Sequence, residues 1–437
     1  MNDRRTYMVG AILLTVVLLG AACRSQEAAP LPGCEGAPRP IVFVHGMMGS
    51  GDSYALTMMR FASNGYCPAY LRAFDWNTLT FDMEGHAEAL DGFVDRLLQE
   101  TGAKQIDLVG HSMGGRLGQT YLAEKQRAAK VAHYVHAASF CDLESPHSVP
   151  SLVLSSDEDT IVGACTIAGA TNQDIQGADH LQMVTLPEVF AATFRFFNAD
   201  TSPATTEVIA EDAITLSGRA VTFGTNQPLA GATVEVYPVD AATGERRDLT
   251  PVGRFTASTD GAWGPFQAAA ATYYEFLVSQ EGERPVHYYY QPFTRSNPVV
   301  YLRVLPENDL LLKALLGEMR YDDRSSFIVL FSANQALYHG RDTATLDGVD
   351  LATPEMAPPP PDQASTIAIF ILDADGDGQS DGGPVPGPLD EFPFLQGYDA
   401  FLDATTRHSV TLTLNGATLH VPTWKADSEG IALAVFE

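Results

Sequence analysis

Ile106-Asp-Leu-Val-Gly-His-Ser-Met-Gly-Gly115 joins an apolar run to a pair of glycines across a single serine. Ile106–Val109 has the composition of a buried strand, and Met113–Lys125 has the spacing of a helix. Between them Gly110-His111-Ser112-Met113-Gly114 has the form Gly-x-Ser-x-Gly. On so tight a strand-to-helix turn the serine backbone is strained and its Oγ is lifted above the sheet edge, the arrangement called a nucleophile elbow. Gly110 and Gly114 are needed because the backbones pass too close for side chains. The helix N-terminus behind Ser112 favours developing negative charge.

Outward from this turn, strands and helices alternate. Pro40–Val44, Ala69–Trp76, Val131–Ala138 and Ser151–Ser155 read as strands, and Gly85–Thr101 as a helix through Ala89, Phe93, Leu97 and Leu98. Leu186–Phe197 reads as a closing helix. Short connections between alternating elements predict an α/β domain with a doubly wound, mostly parallel sheet over residues 39–200. Near Thr201–Thr206 the helical period disappears. Alternating runs such as Ala232–Pro238 and Thr272–Val278, with turns at Asp260-Gly261 and Gly224-Thr225-Asn226, predict a β-sandwich over 207–303. A second β-rich domain follows over 304–437, with strands near Ser326–Phe331, Thr366–Leu372, Val410–Leu414 and Ile431–Phe436 and a Pro-rich linker at Pro358–Pro361. The expectation is an α/β domain followed by two small antiparallel β domains.

The elbow needs an oxyanion site, a base and an acid. His45-Gly46 ends an early strand whose loop sits beside the elbow in such a sheet. The next amide, Met47 N–H, pairs with Met113 N–H as a candidate oxyanion hole, and His45 reads as a loop-positioning residue. Of eleven histidines, His133 and His136 lie within a strand and His111 within the elbow. His147 precedes the last strand. His180, between the last strand and the closing helix, is the candidate base. The acid follows strand Ser151–Ser155: Asp159, in the form Asp-x-x-Val, is favoured over Asp157 and over Asp142, which follows the preceding strand.

Val42-Phe-Val-His-Gly-Met47, the elbow, Asp159-Thr-Ile-Val162 and Gly177-Ala-Asp-His180 together resemble a small bacterial α/β-hydrolase of the lipase/esterase type. The resemblance implies ester hydrolysis through an acyl-enzyme, with Ser112 as nucleophile, His180 as base, Asp159 as its partner and no cofactor for catalysis. His287–Arg303 resembles the C-terminal part of an archaeal long-chain lipase and implies a lipid-binding role for the β domains. The loop joining Val131–Ala138 to Ser151–Ser155 is too short for a large cap, which predicts an open site accepting medium-to-long acyl esters. Leu310–Met319 and Thr57–Phe61 are candidate covering segments. Acyl transfer or amide cleavage with the same triad, and a non-catalytic surface lipid-binding module, are the competing readings.

The 437 residues, 45% apolar, suffice for two or three cores. With 26 Lys+Arg against 54 Asp+Glu the net charge is -28, which repels phosphate backbones and argues against nucleic-acid binding. Residues 1–22 read as an export signal, followed by a tether over 23–38. The run Leu18–Cys23 resembles a bacterial lipoprotein cleavage site, implying lipidation of Cys23 and membrane association through that anchor; free secretion is the alternative. Cys34, Cys67, Cys141 and Cys165 are then an even set, with Cys34–Cys67 and Cys141–Cys165 the favoured pairs because each closes a short loop. Asp373, Asp375, Asp377 and Asp381, with Gly378 at position 6, have the spacing of a candidate structural calcium loop.

Overall fold

The computed structural model describes residues 31, 33–141, 148–306, 319–360, 365–385 and 394–437. The export segment, Cys23, Asp142, His147 and all of Leu310–Met319 but its last residue lie outside the described residues.

The first domain is one sheet of six parallel strands: β1 (Ile41–Val44), β2 (Leu71–Phe74), β3 (Ile106–His111), β4 (Val131–Ala137), β5 (Ser151–Ser155) and β6 (Thr171–Asp174), in the order β2-β1-β3-β4-β5-β6. All four residues of β1 are buried, as a strand covered on both faces requires. Its side chains alternate between two cores. Ile41 and Phe43 join Phe61, Phe190 and Phe194 on one face, whereas Val42 and Val44 join Leu90, Val94 and Leu117 on the other. The first face is covered by α1 (Ala55–Ser63) and α6 (Pro187–Phe197), the second by α2 (Met83–Thr101) and α3 (Met113–Ala123). Asp82 caps α2 by accepting from Gly85 N at 3.0 Å, and Gly102 in the left-handed region ends it.

Two details differ from the sequence expectation. The buried stripe of α2 is Ala87, Leu90, Val94 and Leu97; of the residues expected on it, Leu97 is buried and Phe93 and Leu98 pack against the same core, whereas Ala89 faces solvent. Strand β6 is Thr-Asn-Gln-Asp, an exposed edge strand with no apolar alternation to announce it.

The β region comprises β7 (Ile214–Thr222), β8 (Thr233–Val239), β9 (Gly253–Thr256), β10 (Ala262–Ala268), β11 (Tyr273–Ser279), β12 (Val286–Tyr290), β13 (Leu302–Val304), β14 (Ile328–Ser332), β15 (Ala344–Leu346), β16 (Val349–Asp350), β17 (Ala368–Leu372), β18 (Leu395–Asp399), β19 (Ser409–Leu414), β20 (Ala417–Pro422) and β21 (Ile431–Phe436). Antiparallel pairs such as β8/β11 and β19/β20 are present as expected. They are joined more closely than two separate small domains would be. Strand β21 lies parallel to and between β12 and β14, so one eight-stranded mixed sheet, β18-β17-β14-β21-β12-β11-β8-β9, runs through both C-terminal sections. Sheets β10-β7-β13 and β16-β15-β19-β20 pack beside it.

The β region also shares cores with the first domain. Val221, Val299 and Tyr301 belong to the cluster around Phe43 and Phe61, and Met48 belongs to the cluster of the large β sheet. Disulfides join Cys34 to Cys67 and Cys141 to Cys165, with Cα–Cα separations of 5.4 and 5.7 Å.

Candidate active site

Ser112 stands between the last residue of β3 and the first of α3, with φ 54° and ψ -127°. A serine at positive φ is strained, and such strain persists only where the surroundings hold it. Here Ser112 N donates to the Ala137 carbonyl at 3.0 Å, and the Ser112 carbonyl accepts from Ser139 Oγ at 2.6 Å and from Gly115 N at 2.9 Å. A Cβ on Gly110 would lie 2.5 Å from the Gly114 carbonyl oxygen, and one on Gly114 would lie 2.1 Å from the Val44 carbonyl oxygen, so each elbow glycine has its own close backbone approach. Gly46 touches the serine itself, since a Cβ there would lie 2.8 Å from Ser112 Cβ. The loop after β1 is thereby brought onto the elbow. Met47 and Met113 line one cavity with Ser112, and the Met113 N–H is the first orphan donor of α3.

His180 lies between β6 and α5 (Gln182–Thr185). Its Nδ1 donates to Asp159 Oδ2 at 2.8 Å, leaving Nε2 as the acceptor. Asp159 is 1% exposed. Burial alone would raise its carboxyl. The His180 hydrogen bond and charge, with the Ile161 and Val162 amides on Oδ1 at 2.9 and 3.2 Å, outweigh burial and hold it below its ordinary value. Asp157 is exposed to solvent. Of the acids weighed from the sequence, Asp159 is the described one brought to the histidine.

The neighbouring histidines have other partners. His111 Nε2 donates to the His180 carbonyl at 2.9 Å, the two rings lying 4.6 Å apart. Burial first, then the adjacent His180, pushes His111 down to about 3, so it stays neutral. His45 Nδ1 donates to the Gly46 carbonyl at 3.0 Å, and burial lowers its pKa, in keeping with a loop-positioning role. His133 pairs with Asp107 at 2.8 Å, and His136 with Tyr134 at 2.9 Å, as residues of a packed strand.

Ser112 and His180 open on the same cavity of about 390 Å³. Its first-domain wall includes Met47, Leu56, Met59 and Phe140; its opposite wall is β region, with Tyr288, Tyr290, Val329, Phe370 and Val435. The site is therefore not the open one expected from the short β4–β5 loop. The large β sheet covers the elbow in place of a cap inserted between those strands. Of the two candidate covering segments, Thr57–Phe61 lies within α1 and is mostly core: Met58 and Phe61 are buried, and Met59 reaches the cavity.

Several residues that sequence reasoning passed over tie the β region to the two loops of this site. Asn226, at φ 54°, donates through Nδ2 to the carbonyls of Gly49 at 2.9 Å and Trp76 at 3.0 Å, and accepts from Ser50 Oγ at 2.6 Å. Asp75 accepts from Gly51 N at 2.8 Å and Tyr301 Oη at 2.8 Å, and it pairs with Arg219. Arg303 pairs with Asp52 and donates to Ser50 Oγ at 2.9 Å. These bonds pin the segment following Met47. Asn226 lies in the turn Gly224-Thr225-Asn226, and Tyr301 and Arg303 in the stretch His287–Arg303, but neither stretch gives a hint of its partners.

In the candidate calcium loop, oxygens of Asp373, Asp375 and Asp377 lie within 4.8 Å of one another, and Asp381 stands outside that trio. Asp373 accepts from Gly376 N at 2.9 Å and Gly378 N at 3.2 Å. Arg320 and Arg324 donate to the carbonyls of Asp375 and Gly376. The loop is thus closed by its own amides and flanked by two guanidinium groups.

Residues 39–159 match the family described as alpha/beta hydrolase fold, 212–306 match the lipase C-terminal domain, and 331–436 match a third family described as a C-terminal domain. Among solved structures the chain is similar to Bacillus licheniformis lipase BlEst2 in its mature form, at 16% identity over 38% of this chain and 94% of that one, with a TM-score of 0.32. It is also similar to MGS-MChE2, an alpha/beta hydrolase from the metagenome of sediments of the Mar Chica lagoon, Morocco, at 19% identity over 38% of this chain and 94% of that one, TM-score 0.31. Residues 39–159 thus match an alpha/beta hydrolase fold, in keeping with the six-stranded parallel sheet, and residues 212–306, in the β region that follows, match a lipase C-terminal domain.

Proposed function

We propose that this protein is a serine carboxylic ester hydrolase that passes through an acyl-enzyme and acts on medium-to-long acyl esters, triacylglycerols among them. The observation that carries the reading is that His180, hydrogen-bonded to the buried Asp159, opens together with Ser112 onto one largely apolar cavity. In this reaction Ser112 Oγ attacks the ester carbonyl as His180 Nε2 takes its proton. Charge moves to the carbonyl oxygen, which the Met47 and Met113 amides receive. Collapse releases the alcohol, protonated by His180, and leaves the acyl group on Ser112. Water, deprotonated by His180, then attacks the acyl carbonyl; the acid departs and Ser112 regains its proton. Asp159 holds the imidazole by Nδ1 and favours its charged form.

The acyl preference follows from the cavity wall. Aliphatic and aromatic side chains of the β sheet offer apolar area to an acyl chain, each buried CH₂ being worth about 0.8 kcal/mol. The same proposal includes export and lipid attachment at Cys23; the two disulfides support an oxidising compartment. A series of p-nitrophenyl esters of increasing acyl length tests it. Hydrolysis should rise in kcat/KM beyond the shortest chains, and Ser112→Ala should lower kcat by about 10⁶-fold. Activity that persists in Ser112→Ala overturns the reading.

A further inference from the structure

We propose that Arg341, in the third section of the chain, is a positioning residue for His180 and acts through Asp179. The inference rests on the reading of His180 as general base. Asp179 is the residue before His180 and is 2% exposed. Its Oδ1 accepts from the amides of Leu181 and Gln182 at 3.0 and 2.9 Å, and Gln182 Oε1 accepts from Asp179 N at 3.0 Å. These bonds close the turn that carries the imidazole. Oδ2 points the other way, into the β region. It accepts from Ala336 N at 3.2 Å and from the two terminal nitrogens of Arg341 at 3.2 and 3.3 Å.

Arg341 is itself fixed. Its Nε donates to Asp342 Oδ2 at 2.9 Å, its guanidinium lies 3.7 Å over the Tyr338 ring, and it donates to the Ala336 carbonyl. A second tie reaches the end of α5, where Thr185 Oγ1 donates to the Asn334 carbonyl at 2.5 Å. The base loop is thus held to a part of the chain about 160 residues away.

The charge arrangement makes this clamp more than packing. Burial pushes the Asp179 carboxyl up even with Arg341 opposite it. The other ionisable groups nearby are committed elsewhere: Asp342 faces Arg341, Asp159 faces the imidazole, and His111 is neutral beside it. Without the guanidinium the buried carboxylate loses the cation that faces it and takes up a proton at higher pH. The protonated acid is a poorer acceptor for the Leu181, Gln182 and Ala336 amides, and the turn loosens. Asp159 fixes only Nδ1, so where Nε2 is held relative to Ser112 depends on that turn. A displacement of about 1 Å at such a site costs roughly 10²-fold in rate.

The test uses the full chain and a short soluble p-nitrophenyl ester. Arg341→Gln should lower kcat by roughly 10- to 100-fold, leave KM within about twofold, and move the acid limb of kcat/KM to higher pH, since the ionised carboxylate is the form that closes the turn. Arg341→Lys should return the limb toward its wild-type place. An Arg341→Gln enzyme whose acid limb stays put overturns the inference, even where kcat falls through lost stability. Should Arg341→Gln not accumulate as folded protein, Asp179→Asn serves: a lower kcat with no shift of the limb is expected, and wild-type kcat overturns the proposal. Ser112→Ala measured alongside separates this outcome from failure of the functional reading, because its retained activity would condemn that reading whatever Arg341 does.

Discussion

Asp159 carries two loads, one for the imidazole and one for its own loop. Asp159→Asn keeps the shape but offers His180 an amide where a carboxylate was, which favours the wrong tautomer. The expected loss is about 10⁴-fold in kcat. The same substitution should change stability in a definite direction. The Asp159 carboxyl is held below its ordinary value in the folded protein, so its contribution is present above the unfolded carboxylate range and is lost as pH falls through the folded value. Melting temperature should therefore fall less steeply with acidification in Asp159→Asn than in the wild type. An equal slope would contradict the cause given for the shift.

Residues of this kind were readable because their meaning is local. Ser112, Asp159 and His180 each sit at the end of a strand or in the loop after one, within motifs of a few residues. Asn226, Arg219 and Arg341 were not readable for the opposite reason. Each acts on a partner 144 to 177 positions away, and nothing in the flanking sequence states that distance.

At the scale of elements, β1 was legible because a strand buried on both faces is continuously apolar, and β3 because its apolar run, interrupted only by Asp107, leads into the elbow. Strand β6 was not, since an exposed polar edge strand looks like a loop. On α2 the expectation fails only at Ala89, because Ala87 and Ala89 are equally apolar and only packing distinguishes them. The loops after β4 and β5 are joined by Cys141–Cys165 across 24 residues, and the second of them carries Asp159. Replacing both cysteines by serine frees the unfolded chain and should cost about 3 kcal/mol of stability, read from a urea midpoint. Because Asp159 keeps its hydrogen bonds to Ile161 and Val162 within its own loop, kcat below the new transition should stay within about threefold of wild type.

The whole molecule behaves as more than a hydrolase with attachments. One large sheet spans both C-terminal sections, supplies a wall of the cavity and lies beside the two loops that flank Ser112. The sequence showed a change of character near residue 201 and so suggested separable units. It was silent on β21 returning to lie between β12 and β14, because a parallel pairing between distant strands leaves no local mark. A chain ending at residue 206 would expose Met48 and the apolar first-domain surface now packed against Val299 and Tyr301. It should aggregate on size exclusion, and any soluble fraction should lose most of its activity on long acyl esters. A soluble, monomeric truncation with unchanged acyl preference would contradict this integration.

The central claim is that Ser112, activated by His180, is the group that takes the acyl chain. A fluorophosphonate probe followed by peptide mass analysis tests it most directly. Rapid, stoichiometric labelling of Ser112, abolished in Ser112→Ala and slowed by several orders of magnitude in His180→Ala, is the predicted result. Labelling at another residue, or an equal rate in His180→Ala, would contradict it.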